Sequence, residues 1–216
     1  MDCCAVERGL NGVFDASTAR ADAEEFRRHG LTGAARKLAE AVSARGLAGA
    51  SVLEVGGGVG GLHLTLLQRG AASAPEVDIS AAYIAEAQSL AQKLNLAERV
   101  THQRADFAQE AASVPEAEVV VLHRVVCCYP DMPRLLTEAA NHARRVLAFS
   151  FPWDGWPVRL GEKAFGLWAS LTRSDFRFYI HRWRDMQALV AAAGFTLVQR
   201  TASFPWQMVV WERRGK

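Results

Sequence analysis

The densest chemistry in the sequence is the run Glu54-Val55-Gly56-Gly57-Gly58-Val59-Gly60-Gly61, in which five glycines fall in the six positions 56–61. Glycine reaches positive φ freely and has no Cβ, so such a backbone bends sharply and lets a ligand lie close against it. Ordering that many glycines is costly in entropy, which argues that their bareness is used. The run follows a short apolar stretch, Ser51 to Val55, and precedes helical spacing through Leu62, Leu66 and Leu67. A strand that turns into a helix N-terminus points free N–H groups at a ligand. The implied chemistry is capture of a nucleotide-type cofactor. Gly56, Gly58 and Gly61 also satisfy the G-x-G-x-x-G spacing of dinucleotide sites, which alone is a weak signal.

Three features favour S-adenosylmethionine over a dinucleotide. About 50 residues precede the strand, whereas dehydrogenases usually begin with it. Glu54 lies two residues before the first glycine, where a carboxylate could meet an amino group. After Ala193-Gly194-Phe195 the chain ends in a β-hairpin pattern.

On these residues the sequence resembles the class I S-adenosylmethionine-dependent methyltransferases over roughly residues 20 to 213. Glu54 to Gly61 is similar to that family's first motif, which implies cofactor contacts at Glu54, Gly56, Gly58 and Gly60. Asp78, in Val77-Asp78-Ile79-Ser80, matches the acidic residue that ends the family's second strand and binds the ribose hydroxyls; Ile79 follows it into the site. Asp78 lies 18 residues past Gly60, close to the ~20 expected for a ribose-binding acid. Asp106-Phe107 resembles the pair beside the adenine. The stretch Asp78 to Tyr83 is similar to magnesium-protoporphyrin methyltransferases in particular, a local likeness that assigns no substrate.

In doubly wound sheets, ligands bind beyond the carboxyl ends of the strands. The fourth strand is expected at Val119 to Leu122, so His123-Arg124-Val125-Val126-Cys127-Cys128-Tyr129-Pro130-Asp131 should face the cofactor and the transferred methyl. Methyl transfer from a sulfonium is an in-line displacement, and the protein mainly aligns and desolvates. A base is needed only for a weakly acidic hydroxyl or a protonated amine. His123 is the leading candidate, with a structural histidine bonded to backbone as the alternative. Many relatives carry Asp or Asn at this position. His181, entering a helix at Trp183, is the second candidate.

Ten of the nineteen aromatic residues lie between Phe149 and Trp183, and all six tryptophans come at Trp153 or later. The turn-like Trp153-Asp154-Gly155-Trp156-Pro157 suggests a lid over residues 153–180 and a flat, apolar or aromatic small-molecule acceptor. The four cysteines form two adjacent pairs, Cys3-Cys4 and Cys127-Cys128. If the pairs met they could bind zinc or a soft metalloid, or supply a thiol; the plainer expectation is small apolar packing and no metal.

Alternation of strands and helices predicts an α/β fold: a Rossmann-like, seven-stranded, mostly parallel sheet with a C-terminal antiparallel hairpin and helices on both faces. The expected division is an N-terminal arm and helical cap (1–46), a cofactor-binding core (47–150), an aromatic lid (151–183) and a C-terminal helix and hairpin (184–216), all one domain. Net charge is +2 and half the residues are apolar, so nothing demands nucleic acid or an anionic membrane. No apolar run approaches a membrane span and no signal-peptide pattern is present, so a cytoplasmic protein is expected. The oligomeric state is open. Rival readings are a thiol or metalloid methyltransferase, a catalytically inactive cofactor-binding partner subunit, a nucleic-acid methyltransferase and a nicotinamide oxidoreductase. The nucleic-acid reading lacks the Asn/Asp-Pro-Pro-aromatic tetrad after the fourth strand, where His123-Arg124-Val125-Val126 stands.

Overall fold

The structure, a computed structural model, describes residues 15–155, 158, 160, 161 and 178–215. Cys3, Cys4 and most of the expected lid lie outside the described residues.

Two helices come first, α1 (Ala16–His29) and α2 (Gly33–Ser43). They are separate because Gly30, at φ +63°, closes α1 with its N–H on the Phe26 carbonyl. Then follow β1 (Val52–Val55), α3 (Gly61–Gln68), β2 (Ala74–Asp78), α4 (Ala81–Lys93), β3 (Val100–Arg104), α5 (Phe107–Glu110), β4 (Ala117–Leu122), α6 (Met132–His142), β5 (Ala143–Pro152), α7 (Trp183–Ala192), β6 (Phe195–Ser203) and β7 (Trp206–Arg213). The caps follow local chemistry: Asp15, Ser80, Asp106 and Asp131 each accept a backbone N–H at the start of a helix. Thr32 holds the N-cap position of α2, but its side chain makes no cap bond.

The strands form one seven-stranded sheet in the order β3-β2-β1-β4-β5-β7-β6. β1 to β5 run parallel, and β7 pairs antiparallel with both β5 and β6. The expected mostly parallel sheet with a C-terminal hairpin is therefore the fold.

The apolar central strands show the period-2 logic of a doubly covered sheet. Leu53, Val55, Val120, Leu122, Leu147, Phe149, Val209 and Trp211 face one core, which α5, α6 and α7 complete. Val52, Val119, Val121, Val146, Ala148, Met208 and Val210 face the other, under α1 to α4. Much of the aromatic surplus is core: Phe151 stacks on Trp183 with ring centroids 5.4 Å apart, and Trp183 lies 5.9 Å from Trp211. Strand order reverses between β1 and β4, so the chain splits there and leaves a crevice at the carboxyl ends.

Candidate cofactor and acceptor site

The glycine run fills that crevice. Gly56 donates its N–H to the Val77 carbonyl at 2.7 Å, which holds the end of β1 beside β2. Gly56, Gly58 and Gly60 have φ of +65°, +58° and +83°, values that side-chain-bearing residues rarely adopt. Gly60 is the left-handed N-cap of α3.

The bareness of the turn serves two purposes. A Cβ on Gly56 would lie 2.4 Å from Val125, one on Gly57 2.5 Å from the Glu76 carboxylate, one on Gly60 2.8 Å from the His63 ring and one on Gly61 2.9 Å from the Phe26 ring. Four glycines are thus required by the protein's own packing. Only Gly58 would make ordinary contact, 3.5 Å from the Tyr83 ring, and it lines an open cavity. The expectation that the whole run lies against a ligand narrows to Gly56 and Gly58, the two that line the cavity.

Asp78 ties this turn to the next helix. Its carboxylate accepts from the Gly58 N–H at 2.9 Å and from the Ser80 N–H at 2.8 Å. Burial pushes its pKa above the ordinary aspartate value, and these backbone bonds oppose the push. A carboxylate has about four lone-pair sites, so Asp78 retains accepting capacity toward the cavity that it lines. Ile79, Asp106 and Phe107 line the same space. Asp106 caps α5 and accepts the Tyr129 hydroxyl at 3.0 and 3.1 Å. From above, α1 closes in: Asp22 accepts the Tyr83 hydroxyl at 2.6 Å and also lines the cavity.

The cavity measures about 430 Å³, within the range of small-molecule and cofactor sites. Three carboxylates, Asp22, Asp78 and Asp106, line it against one guanidinium, Arg124, among the described residues. That balance suits a cationic sulfonium. S-adenosylmethionine therefore fits the residues present, which offer carboxylates and apolar side chains on one wall.

Glu54 and Gly60 do not reach the cavity wall. Glu54 is buried beneath the turn, where its Oε2 accepts from the His63 backbone N–H at 3.0 Å and lies 2.8 Å from His63 Nδ1. The parity of β1 explains this: Glu54 projects to the face of Val52, under α3, while Leu53 and Val55 project to the other. Glu54 braces the turn from below.

His123 lines the cavity, with its Nδ1 3.0 Å from Ser150 Oγ. That hydroxyl also accepts the Arg124 N–H at 2.9 Å, which ties the imidazole's partner to the backbone after β4. Burial, with Arg124 beside it, holds the His123 pKa down at about 4. His181 does not line the cavity: its Nε2 donates to the Tyr129 carbonyl at 3.1 Å and fastens the segment before α7 to the site loop. Arg124 and Phe178 lie at the cavity as expected of the segment after β4 and of the aromatic region; sequence reasoning missed Asp22, Tyr83 and Trp206, also at the cavity. Arg124 has left-handed backbone, φ +61°, and its guanidinium sits 4.8 Å from the Trp206 ring centroid. No local pattern announces the placements of Asp22, Tyr83 and Trp206, because each depends on a distant partner. Cys127 and Cys128 line the cavity too, and no group of three or more His, Cys, Asp or Glu among the described residues could hold a metal.

Fold and site together define a class I methyltransferase, and the comparisons agree. Residues 25–200 match the family model described as "Methyltransferase domain"; the chain belongs to that family and is an S-adenosylmethionine-dependent methyltransferase. No curated protein matches the sequence. Among solved structures, magnesium protoporphyrin IX methyltransferase from Synechocystis, with S-adenosylhomocysteine bound, is 25% identical, with 83% of this chain and 80% of that one covered at a TM-score of 0.67. An O-methyltransferase family 2 protein from Planctomyces limnophilus, in complex with apigenin, is 17% identical over 92% and 62% of the chains, TM-score 0.68. An RNA methyltransferase described as putative, from Pyrococcus horikoshii, is 13% identical over 83% and 81%, TM-score 0.61. These last two show the fold alone.

Proposed function

We propose that the protein transfers the methyl group of S-adenosylmethionine to a small, flat, apolar or aromatic molecule. The observation that carries this reading is the cavity at the switch point, lined by Asp78 and Gly58 together with His123, Tyr129, Phe178 and Trp206. The cofactor supplies a methyl already activated as a sulfonium. Asp78 orients its ribose, Phe107 and Ile79 flank its adenine, and the Gly58 backbone allows its close approach. Around the acceptor, the apolar walls exclude water and hold the nucleophile in line.

His123 keeps a polar role there, as a neutral hydrogen-bonding group rather than a base of ordinary strength. Its Nδ1 is engaged by Ser150, and its pKa of about 4 leaves it unprotonated but weakly basic at neutral pH. His181 positions the loop. A small-molecule acceptor is favoured over RNA by the acidic cavity and the net charge of only +2; the apigenin complex shows that a relative of this fold binds a flat aromatic molecule.

Calorimetric titration with S-adenosylhomocysteine tests the site. The wild type should bind, and Asp78→Ala should weaken binding by about 1–3 kcal/mol, the range for hydrogen bonds to charged groups. Equal affinity in the two proteins would remove Asp78 from the ribose role.

A further inference from the structure

Cys127 and Cys128 are sequence neighbours, and their sulfurs converge. Adjacent side chains ordinarily diverge, yet the two Sγ atoms lie 3.7 Å apart. Both thiols reach the carbonyl oxygen of Arg124, at 3.4 and 3.5 Å. Arg124, whose backbone φ is +61°, supplies the carbonyl that both sulfurs approach. Cys127 is buried, Cys128 is partly exposed, and both face the cavity. The Cys127 thiol, donating toward its neighbour and buried, keeps its proton; the same hydrogen bond lowers the pKa of Cys128. The pair is thus one nucleophilic sulfur beside one protonated partner.

We propose that Cys127 and Cys128 are an oxidative modification site: they close into a vicinal disulfide in the cavity wall when met by a small-molecule disulfide such as oxidised glutathione, and closure weakens cofactor binding. The second part rests on the S-adenosylmethionine reading. The Cys128 sulfur attacks one sulfur of oxidised glutathione, breaks its S–S bond and expels one glutathione. The Cys127 sulfur, giving up its proton, then attacks Cys128 Sγ and expels the second. Two protein thiols lose two electrons and two protons, and one disulfide becomes two thiols. Adjacent Cα atoms lie only about 3.8 Å apart, below the usual ~4.4–6.8 Å of disulfides, so the ring is strained and easily reduced again.

The consequence reaches the cofactor through the turn itself. The Cys128 N–H donates to the Val125 carbonyl at 2.9 Å, and the Cys127 carbonyl accepts from the Tyr179 N–H at 2.7 Å. Val125 packs on Gly56, and Tyr129 bonds to Asp106. Closing an eight-membered ring between these contacts displaces Val125 and Tyr129, each of which touches a cofactor-side residue.

The test uses the full chain carrying Cys3→Ser and Cys4→Ser, which removes the other two of the four cysteines. The protein is incubated with oxidised glutathione, its intact mass and peptides are measured, and it is titrated with S-adenosylhomocysteine before and after dithiothreitol. The expected result is a loss of about 2 Da confined to the peptide holding Cys127 and Cys128. Affinity should fall about tenfold or more and return on reduction. Adding Cys128→Ser should abolish both the mass loss and the sensitivity of affinity to oxidant. A stable glutathione adduct with no internal bridge, or a bridge that leaves affinity unchanged, overturns the proposal. Failure of the reduced protein to bind S-adenosylhomocysteine would instead defeat the cofactor reading, and with it the second part; the mass measurement judges the disulfide either way.

Discussion

Gly56 and Gly58 are bare for different physical reasons, and substitution separates them. At Gly56 a methyl would collide with Val125, so the protein objects. At Gly58 a methyl meets only the Tyr83 ring at ordinary distance, so the objection is the left-handed backbone and the loss of open space. Gly58→Val should therefore lower affinity for S-adenosylhomocysteine by more than about tenfold, since a β-branched residue at positive φ costs about 1–3 kcal/mol and crowds the cavity. Calorimetry at a temperature where circular dichroism shows the variant folded checks this; wild-type affinity would contradict it. His123 gives a second test. Its pKa of about 4, from burial first and Arg124 second, means that its ring signals in an NMR titration should stay in the neutral form through pH 6, where an ordinary histidine of pKa ~6.5 is mostly protonated. A midpoint near 6.5 would restore His123 as a base of ordinary strength.

At the scale of elements, what the sequence revealed and what it hid divide along one line. Contacts set by neighbours in the chain were legible: the strand–glycine–helix passage from Ser51 and the C-terminal antiparallel hairpin. Contacts between distant residues were not. Val125, Glu76, His63 and Phe26 each press on a different glycine of the turn, and no local pattern pairs them. The position of Glu54 beneath the turn, on the face of Val52, is one that strand parity could have revealed. The helical cap illustrates the same division. A helical cap within residues 1–46 was apparent, but not that α1 seats Phe26 on Gly61 and Asp22 on Tyr83. Gly61→Ala places its methyl 2.9 Å from the Phe26 ring, and should push α1 outward at a cost of about 1–3 kcal/mol, the usual penalty of overpacking. For a chain of this size that corresponds to a fall of roughly 2–12 °C in Tm. Hydrogen exchange should localise the added opening to residues 16–29. An unchanged Tm with unchanged exchange would show that α1 does not rest on that glycine.

Across the whole molecule, the turn stands on buried ionisable groups, and they tie folding to pH. Glu76, in the middle of β2, lies with Oε2 2.5 Å from His102 Nδ1, while its Oε1 has no hydrogen-bond partner among the described residues. Burial raises its pKa from about 4.5 to about 8, His63 pulls it down, and Glu54 and Asp78 add to the rise. Burial also lowers the pKa of His102, so both shifts favour a neutral carboxyl beside a neutral imidazole. In the unfolded chain the same carboxyl is ionised above about 4.5. The folded state then holds one more proton than the unfolded state between about 4.5 and about 8, and stability falls as pH rises through that window. The lowered His102 and His123 act in the opposite sense, losing stability as pH falls below their ordinary 6.5. The interval from 6.5 to 8 therefore reports mainly on the carboxyls. Urea unfolding at steps across it should show decreasing stability, at no more than about 1.4 kcal/mol per pH unit for this one proton. Glu76→Gln keeps an N–H for His102 and cannot ionise, so its slope should be flatter than the wild type's by the share that Glu76 contributes. Parallel slopes in the two proteins would mean that Glu76 is already ionised at neutral pH, and that the glycine turn sits over a buried charge instead of a neutral carboxyl.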